Sequence, residues 1–501
     1  MAAGDIVAGL SVALVVVPQS LAYAQLAGMP AVRGLYAAAV PPIAAAPLSS
    51  SPYLQPGPTA VSALLTFGAL APLADPGSGS YIRLGLLLAI VVGIVRLFVG
   101  LARMGVIAYL MSQPVLMGFV PAAAILIVAS QLPVMLGVDA TGGILHGAGW
   151  ALGHPGSWEP AAIVLSIAVT VVLLGARRLH PMIPAVLVAM TAAILYSWLA
   201  GYSSATVGSV SAGFPPFSLD LPWAELPSLL VPGAVIALVG FAEAASIART
   251  YAATERRRWD PDREFASQGL ANLAAGVSGG FPVGASFSRC GLNRLAGART
   301  SFSSVVTGLA VLAFLPLSFV LSPLPQAALA TVVVVAVVPL ARVAPLTRLW
   351  SYSKPQAAVA TATFVLTLAL SPHIERAVIV GVVLAIALHL WRELRLEVPS
   401  WEEADALHLR PRGVLWFGSA ARLEDTFLRL VSEHPQATSL VLHLDGLGRI
   451  DITGALALRS LLQEAREAGL AVQLVDVRAR WRGLVERVIT SEQDPLGPSG
   501  E

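Results

Sequence analysis

The sequence predicts a polytopic α-helical membrane protein, with fourteen transmembrane segments in two inverted repeats of seven and then a small cytoplasmic α/β domain. Three observations predict it. Of the 501 residues, 56% are hydrophobic and 12% charged, with mean hydropathy +0.76; soluble domains carry about 25% charged residues. Two hydrophobic segments are broken by Gly and Pro at matching places, QPGPTAVSALL (Gln55 to Leu65) and GFPVGASFSRCGLNR (Gly280 to Arg294). The composition shifts near Pro399, with 20 basic and 14 acidic side chains in residues 1–398 against 11 and 15 in residues 399–501.

Apolar runs able to span, or interrupted versions of them, lie near residues 6–27, 35–48, 58–73, 81–102, 113–137, 160–176, 183–200, 229–250, 265–280, 285–297, 301–321, 326–344, 356–371 and 374–396. A span needs about 20 apolar residues. With a cytoplasmic N-terminus the even-numbered spans end inside. Those ends carry Arg103, then Arg177 and Arg178, then Arg256 to Arg258, Arg299, Arg342, Arg348 and Lys354, and finally Arg392 and Arg395. The odd-numbered ends are poor in Arg and Lys, with Arg33 and Arg83 as exceptions. The positive-inside rule therefore puts both termini in the cytoplasm. The start lacks a basic n-region and a cleavage site, so the run from Ile6 reads as the first span rather than a cleaved signal peptide. The single cysteine, Cys290, allows no intrachain disulfide. The predicted division is a membrane domain over 1–398, with repeats over about 1–202 and 226–398, and a second domain over 399–501. An odd number of spans per repeat forces the second to be inverted.

Gly57 and Gly284 are 227 positions apart. Broken segments in corresponding halves mark a transporter's binding site, because free backbone N–H groups and positive helix N-termini can face an anion there at membrane depth. Glu243, in ALVGFAEAASIART, is placed mid-span. Burying a lone carboxylate costs about 2.5–3.5 kcal/mol on insertion scales, so such a residue faces a cavity and serves a pathway, or else partners an Arg. A carboxyl that can gain and lose a proton there suits proton coupling. Arg289, in the second broken segment, either reinforces an anion site through its guanidinium fork or snorkels outward with Arg294. Ser286 and Ser288 offer hydroxyl donors or bond their own helix. In the first span, VVPQSLAYAQLAG, Pro18 bends the helix, and Gln19 and Tyr23 share a face that lines a cavity or bonds another helix. The stretch QGLANLAAGVSGG (Gln268 to Gly280) reads as close helix packing. No metal-ligand cluster, nucleophile motif or phosphate loop is visible, which argues against an enzyme, a metal cofactor or a nucleic-acid partner.

PQSLAYAQLAG, QPGPTAVSALL and the stretch from Gln268 through AGART (Ala296 to Thr300) together resemble the sulfate permease family, the solute carrier 26 anion transporters, here a bacterial member. The resemblance implies an inverted seven-plus-seven fold with core and gate domains, in a bacterial inner membrane and as a homodimer. It implies a small inorganic or organic anion as substrate. The family's site lies between the N-termini of spans three and ten, with spans one and eight as walls. Carried over, this points to Gln19, Tyr23, Thr59, Ala60, Glu243, Ser286, Phe287, Ser288 and Arg289. Some sodium-coupled members have a hydroxyl residue four positions after the span-eight carboxylate. Here that position is Ile247, which cannot ligate sodium. The expected coupling ion is therefore the proton, and no other cofactor is expected.

Beyond Pro399, Val414–Phe417, Ser439–Leu444 and Ala471–Val477 read as strands, and Leu423–Val431 and Ile452–Ala468 as helices. LDGLGRIDITGALALRSLLQEA resembles the core of a STAS domain, which implies regulatory, trafficking or dimer-contact roles. Thr453 aligns with the phosphorylatable position of anti-sigma factor antagonists, although Asp or Thr there also serves as an N-cap. The resulting expectation is alternating-access transport of a small anion by proton symport, first a dicarboxylate of the fumarate or succinate class, then bicarbonate or sulfate. The rivals are an uncoupled exchanger or channel on the same fold, a nucleobase transporter, which Arg289 argues against, and a STAS signalling scaffold with vestigial transport.

Overall fold

The computed structural model describes residues 2–488 other than 110–112, 141, 180–183, 209, 211–212, 218–219, 404 and 485–486. The chain divides into two compact units, Met1–Ala385 and Ile386–Glu501. The first half of the membrane unit contains α1 (Ala2–Leu26), α2 (Ala31–Ala45), α3 (Ala60–Leu70), α4 (Gly79–Leu101), α5 (Gln113–Leu136), α6 (Ile144–Gly153), α7 (Pro160–Leu179) and α8 (Ala185–Ala200). The second half contains α9 (Leu226–Thr254), α10 (Pro261–Val277), α11 (Phe287–Leu295), α12 (Phe302–Phe314), α13 (Gln326–Val337), α14 (Ala344–Tyr352), α15 (Lys354–Ala369) and α16 (Ile374–Glu393), which runs on into the second unit.

Fourteen of these helices coincide with the apolar runs. The other two, α6 and α14, hold the same sixth place in each half and are 10 and 9 residues long. The sequence assigns no element to either, since both are too short to give a spanning signal. The helices sort into two bundles. α1, α2, α4, α9, α10 and α12 pack mainly on one another, α5, α7, α13 and α15 do the same, and α1 meets α13 where the two groups touch. In the first bundle, glycines bring α4 and α10 into backbone contact. A Cβ on Gly269 would lie 2.7 Å from Leu97 N, and one on Gly276 would lie 2.7 Å from Leu86 O. The small-residue stretch is thus a packing surface, as its composition suggests.

The second unit contains β3 to β8 after two short strands of the membrane unit. These are β3 (Ser400–Glu403), β4 (Ala406–Leu409), β5 (Gly413–Leu415), β6 (Ser439–His443), β7 (Leu447–Ile450) and β8 (Ala471–Val475), with α17 (Phe417–Glu433) and α18 (Ile452–Glu467). One sheet has the order β3-β4-β6-β8, parallel except for the antiparallel edge β3, and β5 pairs in parallel with β7. Its core joins Leu407, Leu440 and Leu442 to Phe427 on α17 and Leu458 on α18. The strand expected over Val414–Phe417 ends at Leu415, because Trp416 N donates to Ser419 Oγ at 3.2 Å and starts α17 at Phe417. Strands β3, β4 and β7 escape the sequence reading; each is four residues long with charged or polar side chains among them, and β3 is exposed throughout.

Candidate functional site

α3 has 11 residues and α11 has 9. At 1.5 Å per residue they extend about 16 Å and about 13 Å, roughly half a bilayer core. Each is preceded by an extended segment, and these segments pair as antiparallel strands, β1 (Pro56–Gly57) and β2 (Gly284–Ala285). Gly57 faces Gly284 in register. These are the residues that the 227-residue offset equates, and a two-fold axis between inverted repeats brings such residues together. The same offset carries Ala60, the first residue of α3, onto Phe287, the first residue of α11. The crossing is close, although a Cβ would fit at Gly57 and only crowd its neighbour at Gly284. A Cβ on Gly57 would stand 3.4 Å from Arg289 Nη2, and one on Gly284 would stand 3.3 Å from Ser62 Oγ.

Two polar side chains hold the second strand from behind. Asn272 of α10 donates through Nδ2 to Val283 O at 3.1 Å, and its Oδ1 accepts Val283 N at 2.9 Å. Arg96 of α4 is fully buried. Its Nη1 donates to Val283 O at 2.9 Å, its Nε to Ala237 O at 3.0 Å and its Nη2 to Ile236 O at 3.2 Å. Gly240 of α9 makes room for it, since a Cβ there would lie 2.5 Å from Arg96 Nη2. Neither residue stands out in the sequence. Their partners are backbone groups, which leave no residue-type signature.

The two helix starts differ in their side chains. Thr59 Oγ1 accepts Ser62 N at 3.2 Å and donates to Ser62 Oγ at 3.0 Å, so its hydroxyl is engaged in capping α3. Ala60 is buried. At α11 the Ser286 hydroxyl caps nothing and lies 3.0 Å from Ser288 Oγ. Phe287 and Ser288 are exposed. Arg289 is only 1% exposed, so it does not follow Arg294 outward. Arg294 instead pairs with Glu255 at 3.2 Å. The Arg289 guanidinium crosses to the other repeat, where Nη1 donates to Pro58 O, while Nε and Nη2 have no hydrogen-bond partner among the described residues.

A cavity of about 840 Å³ lies between α5 and α9, beside the starts of α3 and α11, lined among others by Val61, Phe119, Val120, Glu243, Ser246, Arg249, Thr250 and Phe287. Glu243 is half-buried on its wall and interacts with the Phe287 backbone N–H and with Arg289. Tyr23 is buried and interacts electrostatically with both Arg289 and Glu243. Gln19, one turn earlier on α1, is also buried, and its Oε1 has no partner among the described residues. The structure thus gathers Tyr23, Glu243, Phe287 and Arg289, and commits Thr59 to its own helix. Ile247 points elsewhere, into a packed cluster with Leu54, Ala244, Ala285 and Cys290. The hydroxyl residues that share the cavity with Glu243 are Ser246 and Thr250, three and seven positions on. Helical periodicity from Glu243 was the signal that could have found them. In the second unit, Asp451 caps α18 by accepting Gly454 N at 2.6 Å, and Thr453 is exposed in its first turn.

Comparison with known proteins fits this geometry. Residues 3–363 match the sulfate permease family and residues 399–499 match the STAS domain. The chain belongs to the sulfate permease family. A probable sulfate transporter of Mycobacterium tuberculosis is 30% identical over 96% of this chain and 90% of its own length. The chloroplastic sulfate transporter 4.1 of Arabidopsis thaliana is 31% identical over 77% of this chain and 58% of its own. The murine solute carrier 26 family member A9 anion transporter, solved inward-facing, superposes with TM-score 0.88 at 20% identity, over 96% of this chain and 87% of that one. The likeness in fold is of full length, and the present sulfate permease family member is a multi-pass membrane protein and an anion transporter with a C-terminal STAS domain.

Proposed function

We propose that this chain is a proton-coupled symporter of a small divalent anion, working by alternating access between its two helix bundles. The observation that carries the reading is the start of α11, which no side chain of its own caps, where Arg289 keeps two nitrogens without a hydrogen-bond partner among the described residues and Glu243 faces the Phe287 N–H. An anion and the Glu243 carboxylate then compete for one positive helix end. With Glu243 charged, the helix end is already neutralised and an entering anion is repelled. With Glu243 protonated, the Phe287 and Ser288 N–H groups are available to it, and the buried Arg289 guanidinium behind them adds positive potential. Anion and proton load together, which is symport. Tyr23, which interacts with both Arg289 and Glu243, is assigned to the α1 side of the site together with Gln19.

Sulfate is the first substrate to test, because relatives about 30% identical are named as sulfate transporters. A dicarboxylate such as fumarate or succinate presents the same double charge, and bicarbonate completes the panel. The proposal includes a homodimer in the bacterial cytoplasmic membrane, with both termini inside, an orientation that the arginine distribution supports. The deciding experiment is uptake of these anions into proteoliposomes, with and without an inward proton gradient, for wild type and Glu243→Gln. Accumulation that needs the gradient in wild type, and ignores it in the variant, upholds the reading. Uptake indifferent to the gradient in both proteins replaces it with an uncoupled exchanger or channel.

A further inference from the structure

The second unit contains a basic cleft that the transport reading does not use. Its volume is about 580 Å³, and its walls include Arg395, Arg422, Thr426 and Arg429, with Glu397 as the acidic member. Arg422, Thr426 and Arg429 fall at i, i+4 and i+7 on α17 and therefore share one face. Arg395 comes from the segment just after α16, and its guanidinium stacks 3.7 Å above the Trp391 ring. That stack fixes the side chain without consuming its donors. Arg422 and Arg429 are exposed, so each can turn its fork into the cleft. Three guanidinium groups against one carboxylate form an excess of planar, bidentate donors, the chemistry that recognises phosphate oxygens.

We propose that this cleft binds a phosphate group, carried either by an anionic lipid headgroup or by a soluble phosphate ester. Chain connectivity favours access to a headgroup. Arg395 lies two residues beyond the end of α16, and Trp391 within α16 is an aromatic of the kind that anchors at the membrane interface. Basic groups next to a span are attracted to anionic leaflets by about 1 kcal/mol each.

The test compares full-length wild type with an Arg422→Gln/Arg429→Gln variant, and with an Arg449→Gln/Arg466→Gln control whose exposed arginines lie outside the cleft. One arm measures retention of phosphatidylglycerol against phosphatidylcholine by native mass spectrometry after purification from mixed vesicles. The other titrates glycerol 3-phosphate and inorganic phosphate into protein in neutral detergent. Circular dichroism verifies that each variant is folded. Binding in either arm that falls about tenfold or more in the cleft variant, and is unchanged in the control, supports the proposal. Binding in the first arm only identifies a lipid headgroup, and binding in the second identifies a soluble ester. No saturable binding by wild type in either arm, or equal losses in variant and control, overturns it. Neither readout depends on transport.

Discussion

The starts of α3 and α11 are equivalent in backbone and opposite in use. The 227-residue offset pairs Thr59 with Ser286, Ala60 with Phe287 and Ser62 with Arg289. On the α3 side Thr59 caps, Ala60 is buried, and Ser62 fills the space beside Gly284. On the α11 side the Ser286 hydroxyl bonds the Ser288 hydroxyl and caps no backbone N–H, Phe287 and Ser288 face out, and Arg289 reaches back to Pro58 O. One helix start is sealed and the other is open. Backbone symmetry therefore sets where an anion site can be, and the side-chain asymmetry sets which helix offers its charge. The wedge between them is held by Arg96 and Asn272, both acting on Val283.

The largest expected effect comes from removing Arg289, the cation that bridges the two starts. Arg289→Gln leaves the α11 end without its fork, and anion uptake in proteoliposomes should fall about 10- to 100-fold, the range for losing charged hydrogen bonds. Arg289→Lys keeps the charge but not the planar geometry and should recover only part of the loss. Equal activity of all three proteins would show that the helix ends alone hold the anion. Next comes the support of the wedge. Gly240→Ala drives a methyl into Arg96 and should cost about 1–3 kcal/mol of stability, seen as a lower Tm in detergent together with reduced uptake. An unchanged Tm would mean that Arg96 can leave its three carbonyls without loss.

The third effect concerns the open start only. If Glu243 and the anion share the α11 end, wild-type apparent affinity for sulfate rises as pH falls, because protonation removes the competing charge. Glu243→Gln should bind sulfate with an affinity that no longer varies with pH, measured by equilibrium binding to protein in detergent. Pairing Glu243→Gln with Ile247→Ser asks a further question, since Ile247 is packed among apolar groups. A hydroxyl there should lower Tm without creating sodium dependence.

Much of this arrangement is legible in the sequence, and the reasons for the rest are physical. Helices such as α4 and α5 show because each is a long apolar run, whereas α3 and α11 show only as interrupted ones. The crossing shows because Gly57 and Gly284 interrupt two such runs at a constant offset. Arg96 does not show, since GIVRLFVG reads as an apolar run with one charge, and its acceptors are carbonyls 140, 141 and 187 positions away. Glu264 likewise reads as a helix-end acid, yet it is fully buried and accepts Ser50 N at 3.0 Å and Ser51 N at 3.1 Å, which ties down the loop after α2. Side chains that serve backbone groups are placed by the tertiary fold alone. Thr59 shows the converse. Its residue type fits an anion ligand and an N-cap equally, and only the geometry of Ser62 separates the two.

That separation yields the smallest effect and the sharpest contrast. Thr59→Val removes the cap of α3 and should cost about 1 kcal/mol, lowering Tm by a few degrees with little change in apparent KM. Ser286→Ala, at the equivalent position, removes a hydroxyl that caps nothing. It should leave Tm unchanged, and raise KM for the anion if the open start is where the anion sits. Thermal unfolding in detergent and uptake kinetics on the same two proteins measure both quantities. A Tm loss in Ser286→Ala comparable to that in Thr59→Val would mean that both starts are sealed alike, and would move the anion site away from α11.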